Sequence, residues 1–238
     1  MYNINATNGS STFGPPQVVS YSSAAVNSPC LAVCWARGNG IWGIRVYHGL
    51  AQGGILESIY NFNPNKSQGW HSGMVFADAD KNSGVDCTTG GSATDQYVNL
   101  YYRNLTTGDL GHCYWDQPND VTQNGGWNYV TENNAASEPP ANGSSIKAIQ
   151  DPGQNNVYTF WQGEDGYIKE GTTALWPPSP VSAPQNVSTS AVLDRTRFGT
   201  TYVDAENMPL LVYQNMSGII NGATVDRNGR VQARVFLN

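Results

Sequence analysis

The sequence predicts an all-β protein: a β-propeller with four visible four-stranded blades, or five if the N-terminal segment contributes one. Three observations carry this. The 238 residues include 26 Gly, 13 Pro, 13 Tyr and 7 Trp but only 13% charged residues, a composition of many short strands joined by tight turns. Hydrophobic and polar residues alternate with period two in run after run, and no helical stripe of any length interrupts them. A four-part pattern also recurs. The aromatic closing its second strand falls at Tyr47, Tyr101, Phe160 and Tyr213, spaced by 54, 59 and 53 residues. A repeat of about 50 residues holding four short strands is the signature of a propeller blade.

Residues 1–29, rich in Ser, Asn and Pro, form a leading segment with one predicted strand at Gln17–Ala24. The first repeat is CLAVCW (30–35), IRVYH (44–48), ILESIY (55–60) and GWHSGMVF (69–76). The second is VDCTTG (85–90), VNLYYR (98–103), LGHCYW (110–115) and GWNYV (126–130). The third is IKAIQD (146–151), VYTFWQ (157–162), IKEGTT (168–173) and the Pro-rich LWPPSPV (175–181). The fourth is FGTTYV (198–203), LLVYQ (210–214), IINGATV (219–225) and RVQARVF (230–236), with Asp226-Arg-Asn228-Gly229 as its hairpin turn. The expected organisation is one domain over 1–238, with blades at about 30–76, 85–130, 146–181 and 198–236. One four-stranded sheet cannot bury both of its faces, so the blades must stack around an axis.

The formal charge of −6 and the scattered basic residues argue against a nucleic-acid surface. No apolar run reaches the roughly 20 residues needed to span a bilayer, and the polar start MYNINATNGSST is not a secretion signal. The expectation is therefore a cytoplasmic or non-classically secreted protein without membrane insertion. Cys30, Cys34, Cys87 and Cys113 lack CxxC spacing and are expected to be free and buried. His48, His71 and His112 are not spaced for a metal. Asp78-x-Asp80-x-Asn82 resembles the start of a calcium loop but lacks its Gly at position six and Glu at position twelve, so it reads as an Asx-rich turn. No cofactor and no metal are expected.

The chemistry concentrates in the first repeat. If Ile44, Val46 and Ile55 mark one pleat, Arg45 and Glu57 point the other way and meet at one edge, with Trp70 closing the set. Guanidinium and carboxylate can both bind vicinal hydroxyls, while an indole covers the apolar side of a sugar ring. A cross-strand salt bridge over a half-buried tryptophan is the simpler alternative, and the repeat is what favours the sugar. Trp35, Trp42, Trp115 and Trp161 are read as fillers of the wedges between blades.

IRVY, a Gly-containing turn, Ile55-x-Glu57 and then Gly69-Trp70 resemble the blade motif of fungal fucose-binding lectins of the orange-peel-mushroom type and their bacterial relatives. The resemblance covers residues 31–73 closely and the other repeats more weakly. It implies a propeller with glycan sites between adjacent blades, where Arg and Glu bind fucose hydroxyls and aromatic side chains pack on the sugar. Carried over by position, the first repeat keeps Arg45, Glu57 and Trp70. The second has Asn99 and His112 in their place and keeps Trp127. The third has Tyr158 but keeps Glu170, with Trp176 at the place of the closing tryptophan. The fourth has Leu211 and Asn221 and no tryptophan. The family pattern has six blades against the four repeats here. The resemblance implies fucosylated glycans as partners and Arg45, Glu57, Trp70, Glu170, Trp127 and Trp176 as carbohydrate-binding residues. A single shallow sugar site gives modest affinity unless the protein forms a homo-oligomer. A propeller glycoside hydrolase using two of Asp86, Glu57, Glu170 and Asp204 is the catalytic alternative, and a protein-binding propeller without a sugar site is the third.

Overall fold

The computed structural model describes residues 2–4, 11–13, 23–26, 28–38, 41–62, 69–91, 96–116, 126–130, 138–151, 155–188, 190–192, 194, 197–203, 208–225 and 230–237, with side chains outside the account at 2–4, 11–13, 35–38, 41–42, 62 and 233–237. All regular structure among these residues is strand. A small hairpin of β1 (Tyr2–Ile4) and β2 (Ser11–Phe13) precedes four antiparallel sheets, each a meander in chain order. Sheet 1 holds β3 (Cys30–Gly38), β4 (Ile41–Gly49), β5 (Ile55–Phe62) and β6 (Trp70–Phe76). Sheet 2 holds β7 (Val85–Gly91), β8 (Gln96–Arg103), β9 (Leu110–Asp116) and β10 (Trp127–Tyr129). Sheet 3 holds β11 (Ile146–Gln150), β12 (Asn156–Gln162), β13 (Ile168–Ala174) and β14 (Gln185–Asn186). Sheet 4 holds β15 (Gly199–Val203), β16 (Met208–Gln214), β17 (Ile220–Val225) and β18 (Val231–Leu237).

The first strands of successive sheets lie side by side, β3 with β7, β7 with β11 and β11 with β15, which is the inner lining of a propeller. Alternation along each strand explains the stacking, because one side-chain set of a sheet faces the sheet before it and the other set faces the sheet after it. Three apolar clusters fill the junctions. Tyr47 and Ile55 meet Leu100, Trp115 and Trp127 between sheets 1 and 2. Tyr101 and Leu110 meet Val157 and Trp161 between sheets 2 and 3, and Phe160 meets Leu211 and Tyr213 between sheets 3 and 4. Trp115 and Trp161 are wholly buried wedge fillers, as expected.

A glycine with φ between 79° and 113° sits in every hairpin between the second and third strands, at Gly53 and Gly54, Gly108, Gly166 and Gly218, where a side chain would be strained. The same hairpins fix the true repeat. Leu50, Asn104, Gly163 and Asn215 each bridge the linker leading into their own sheet, through Ala24, Ala79, Pro140 and Val192. Three residues earlier come Tyr47, Tyr101, Phe160 and Val212. The fourth member is therefore Val212, and the expected Tyr213 faces sheet 3 instead. A one-residue slip turns every side chain to the other face, so the fourth repeat carries Leu210 and Gly222 at the arginine and glutamate positions rather than Leu211 and Asn221.

Two other expectations change. The fourth strand of sheet 3 is Gln185–Asn186, not 175–181, because Pro177, Pro178 and Pro180 have no N–H to give a ladder. Cys30 and Cys34 are free but exposed. They lie with Ala32 on the face of sheet 1 turned away from sheet 2, whereas Cys113 is buried in the first junction. The expected strand at Gln17–Ala24 falls outside the described residues over 17–22, as do the turn at 226–229, Asp204, and the side chains of Trp35 and Trp42.

Candidate functional site

Directly paired residues share a face of a sheet, so register decides which predicted site residues meet. Arg45 pairs with Ile59, Tyr47 pairs with Glu57, and both pairs face sheet 2. Trp70 pairs with Tyr60, which pairs with Ile44 and through it with Cys34, on the opposite face. Trp70 packs on the Tyr60 ring at 5.3 Å and does not join Arg45 and Glu57. Its place is taken by Trp127, the corresponding tryptophan of the next sheet. Trp127 faces back toward sheet 1 and donates to Glu57 of the repeat before it.

In this first groove Glu57 is 1% exposed and Arg45 3%. Arg45 Nη1 donates to Glu57 Oε1 in an ion pair, and its guanidinium lies 4.1 Å from the Trp115 ring centre, a cation–π contact. The Tyr47 hydroxyl donates to the same oxygen at 3.2 Å. Burial, and the Glu57 charge after it, push that hydroxyl well above its usual pKa, which keeps it a donor. Glu57 Oε2 accepts from the Met74 N–H at 3.1 Å and from Trp127 Nε1 at 3.3 Å. Gly73 is what admits the carboxylate, since a Cβ there would fall on Glu57 Oε2. Tyr47, Gly73, Met74 and Trp115 were not singled out as site residues from the sequence. The i and i+2 spacing from Arg45 to Tyr47 was the available signal for the first of them.

In the second groove, between sheets 2 and 3, the two positions of the ion pair are held by neutral groups. Asn99, 0% exposed, and His112, 2% exposed, occupy the arginine and glutamate positions. His112 Nε2 and Asn99 Oδ1 are 3.1 Å apart, and Asn99 Nδ2 donates to the Leu175 carbonyl at 3.1 Å. Burial lowers the His112 pKa to about 3, so the ring is neutral at ordinary pH, stacked 4.5 Å from Tyr101. Trp176 enters this groove from the β13–β14 connection. Its ring is parallel to Tyr97 at 5.0 Å and edge-on to Tyr114 at 5.7 Å.

Between sheets 3 and 4, Glu170 shares a face with Phe160 and is 2% exposed. It accepts from Gln185 Nε2 at 3.0 Å and Thr172 Oγ1 at 3.3 Å, and burial raises its pKa. The predicted site residues thus divide: Arg45, Glu57 and Trp127 converge in groove 1, Trp176 stands in groove 2, Glu170 in groove 3, and Trp70 on the outward face of sheet 1. A cavity of about 600 Å³ lies apart from all of them, at the rim of sheet 3, where Lys169 is held by Glu138 and Asp165.

The carboxylates of the calcium-like stretch are engaged within the protein. Asp80 accepts from Asn82 N, Ser83 Oγ and Arg103 Nη1, and Asp78 accepts from the Tyr102 hydroxyl and Asn104 Nδ2. Asp86, one of the candidate catalytic acids, accepts from the Ala148 N–H at 3.0 Å across the inner strands of sheets 2 and 3.

No protein-family model and no curated protein sequence matches the chain. Solved structures do match in fold. The fucose-binding lectin of Aleuria aurantia, a six-bladed β-propeller, superposes with a TM-score of 0.64 at 19% identity over 91% of this chain and 66% of its own. AofleA from Arthrobotrys oligospora gives 0.63 at 14% identity over 100% and 65%, and SapL1 lectin, solved with α-methyl fucoside, gives 0.63 at 15% over 90% and 66%. The chain spans about two thirds of the length of these proteins, and the likeness establishes the β-propeller fold.

Proposed function

We propose that the protein is a non-catalytic carbohydrate-binding lectin whose principal site is groove 1, with fucosylated glycans as the ligand class. The observation that carries this is the convergence of Arg45, Glu57 and Trp127 from two adjacent sheets on one carboxylate. Charged donor, charged acceptor and indole are the three elements that hydroxyl pairs and the apolar side of a pyranose require. Neighbours with the same fold were solved with methyl fucoside. Of the four donors on Glu57, the Trp127 indole is the longest at 3.3 Å and comes from the other sheet. A sugar hydroxyl enters by replacing it, leaving the indole to cover the ring.

The non-catalytic part of the reading rests on placement. Asp86, Glu57 and Glu170 sit at an inner-strand contact, groove 1 and groove 3 respectively, so no two of them face one scissile bond as glycoside hydrolysis needs. A second reading has a specific observation behind it: the near-complete burial of Arg45 and Glu57 also suits an ion pair that staples two sheets. Calorimetric titration with α-methyl fucoside and a fucosylated oligosaccharide decides between them. Arg45→Lys keeps the charge but loses the planar fork and should weaken binding by tenfold or more, with Asn99→Ala as the control that leaves it unchanged. Equal binding by wild type and Arg45→Lys, or no binding by either, makes the pair a staple.

A further inference from the structure

We infer that groove 2 is occupied by the chain's own Trp176, so that this junction is a closed aromatic site rather than a second open one. The side chain at the arginine position of the repeat holds the occupant's connection, and Asn155, just before β12 of sheet 3, holds the occupant. The amide of Asn99, at the position of Arg45, donates to the Leu175 carbonyl at 3.1 Å, and its oxygen meets His112 at 3.1 Å. From the other side Asn155 grips the Trp176 backbone twice, accepting from its N–H at 2.9 Å and donating to its carbonyl. Ser179 ties down the same connection, its carbonyl accepting from Thr173 Oγ1 and its hydroxyl oxygen accepting from the Ala174 N–H.

The ring itself does what a bound ring would do. It lies parallel to Tyr97 at 5.0 Å with an interplanar angle of 8°, and Tyr114 meets it edge-on at 79°. These are the stacked and edge geometries aromatic systems prefer. Leu175 and Val181 anchor the two sides of the connection in the apolar cluster beneath. Removing the indole alone leaves a cleft walled by Tyr97 and Tyr114, suited to a planar ring of indole size. The number of open sugar sites is thus set by side-chain chemistry groove by groove, not by the number of repeats. This inference stands whether or not groove 1 binds fucose.

The test uses the whole chain, wild type beside Trp176→Ala and the milder Trp176→Leu, with indole as the probe in calorimetry and thermal melting. Trp176→Ala should melt about 10 °C below wild type, and it should bind indole and regain about 2–4 °C at roughly five times the dissociation constant, since a ligand of the native state alone stabilises it. Wild type should show neither effect. A folded Trp176→Ala that takes up no indole overturns the inference, as does a wild type that binds indole equally well. If the alanine variant folds only when millimolar indole is present, the cleft is confirmed. If neither variant folds even then, the ring is not a replaceable occupant and the inference fails.

Discussion

Breaking the Arg45–Glu57 pair is the sharpest perturbation the structure offers. An ion pair on the surface contributes about 0–1 kcal/mol, but here the two side chains are 4% and 1% exposed. Arg45→Met would leave the Glu57 carboxylate buried with three neutral donors, Tyr47 OH, Met74 N and Trp127 Nε1, and would remove the guanidinium from the Trp115 face. Stripping one partner from a buried pair costs about 3–5 kcal/mol, which in a chain of this size lowers the melting temperature by ~6–20 °C. Glu57→Gln should cost a similar amount by stranding the arginine. The double variant Arg45→Met/Glu57→Gln strands no charge and should be more stable than the sum of the singles implies, by about 2 kcal/mol or more. Urea unfolding followed by far-ultraviolet circular dichroism gives all four free energies. Single variants within about 1 kcal/mol of wild type, with additive effects, would show that water reaches the pair and would refute its burial.

Four further outcomes are expected. His112, with its folded pKa pulled by burial down to about 3, contributes stability that is whole above pH 6.5 and is lost as pH falls from there toward 3; stability of wild type and His112→Gln should converge across that window, and parallel curves would contradict it. Glu170 has its pKa raised by burial, so its ionisation opposes folding as pH climbs above the ordinary carboxylate range; Glu170→Gln should raise the melting temperature at pH 7 by a few degrees and leave it unchanged at pH 4. A thiol reagent should modify Cys30 and Cys34 rapidly in the native protein, while Cys113, buried with its pKa pushed up, reacts only on unfolding; uniform rates would place sheet 1 differently. Excess calcium or EDTA should move the melting temperature by less than about 1 °C, because Asp78 and Asp80 already have protein donors.

The strands and their order were legible because alternation and glycine turns are local signals. Tyr47, Tyr101 and Phe160 lie in the second strands as expected, and the structure pairs them with Glu57, His112 and Glu170. The fourth repeat was misread by one residue, since Tyr213 offered an aromatic where hairpin geometry puts Val212, and a count of spacings does not see which face a side chain takes. The site was half legible. Arg45 and Glu57 belong to one sheet and their meeting follows from pleat parity. The tryptophan that completes them belongs to the next sheet, and grouping residues by repeat selected Trp70 over Trp127. Exposure of Cys30 and Cys34 is likewise a tertiary fact, set by which face of sheet 1 meets sheet 2.

Among the described residues the four sheets stack face to face, each on the next, as a short one-dimensional array. Among the described residues, sheets 2 and 3 have a sheet on each face, whereas the face of sheet 1 away from sheet 2 carries Cys30, Ala32 and Cys34 and the face of sheet 4 away from sheet 3 carries Leu210, Val212 and Ile220. In such an array, stability is approximately a sum of unit and nearest-neighbour terms. Opening therefore starts at the flanks and moves inward, with amide exchange fastest in sheet 4 and slowest in β8 and β12. The third junction relies on an apolar cluster and the Tyr202–Asp151 hydrogen bond at 2.9 Å, while the first carries a buried ion pair. Sheet 4 can thus unzip as a unit while groove 1 keeps its geometry, so partial unfolding at one flank need not disarm the site near the other.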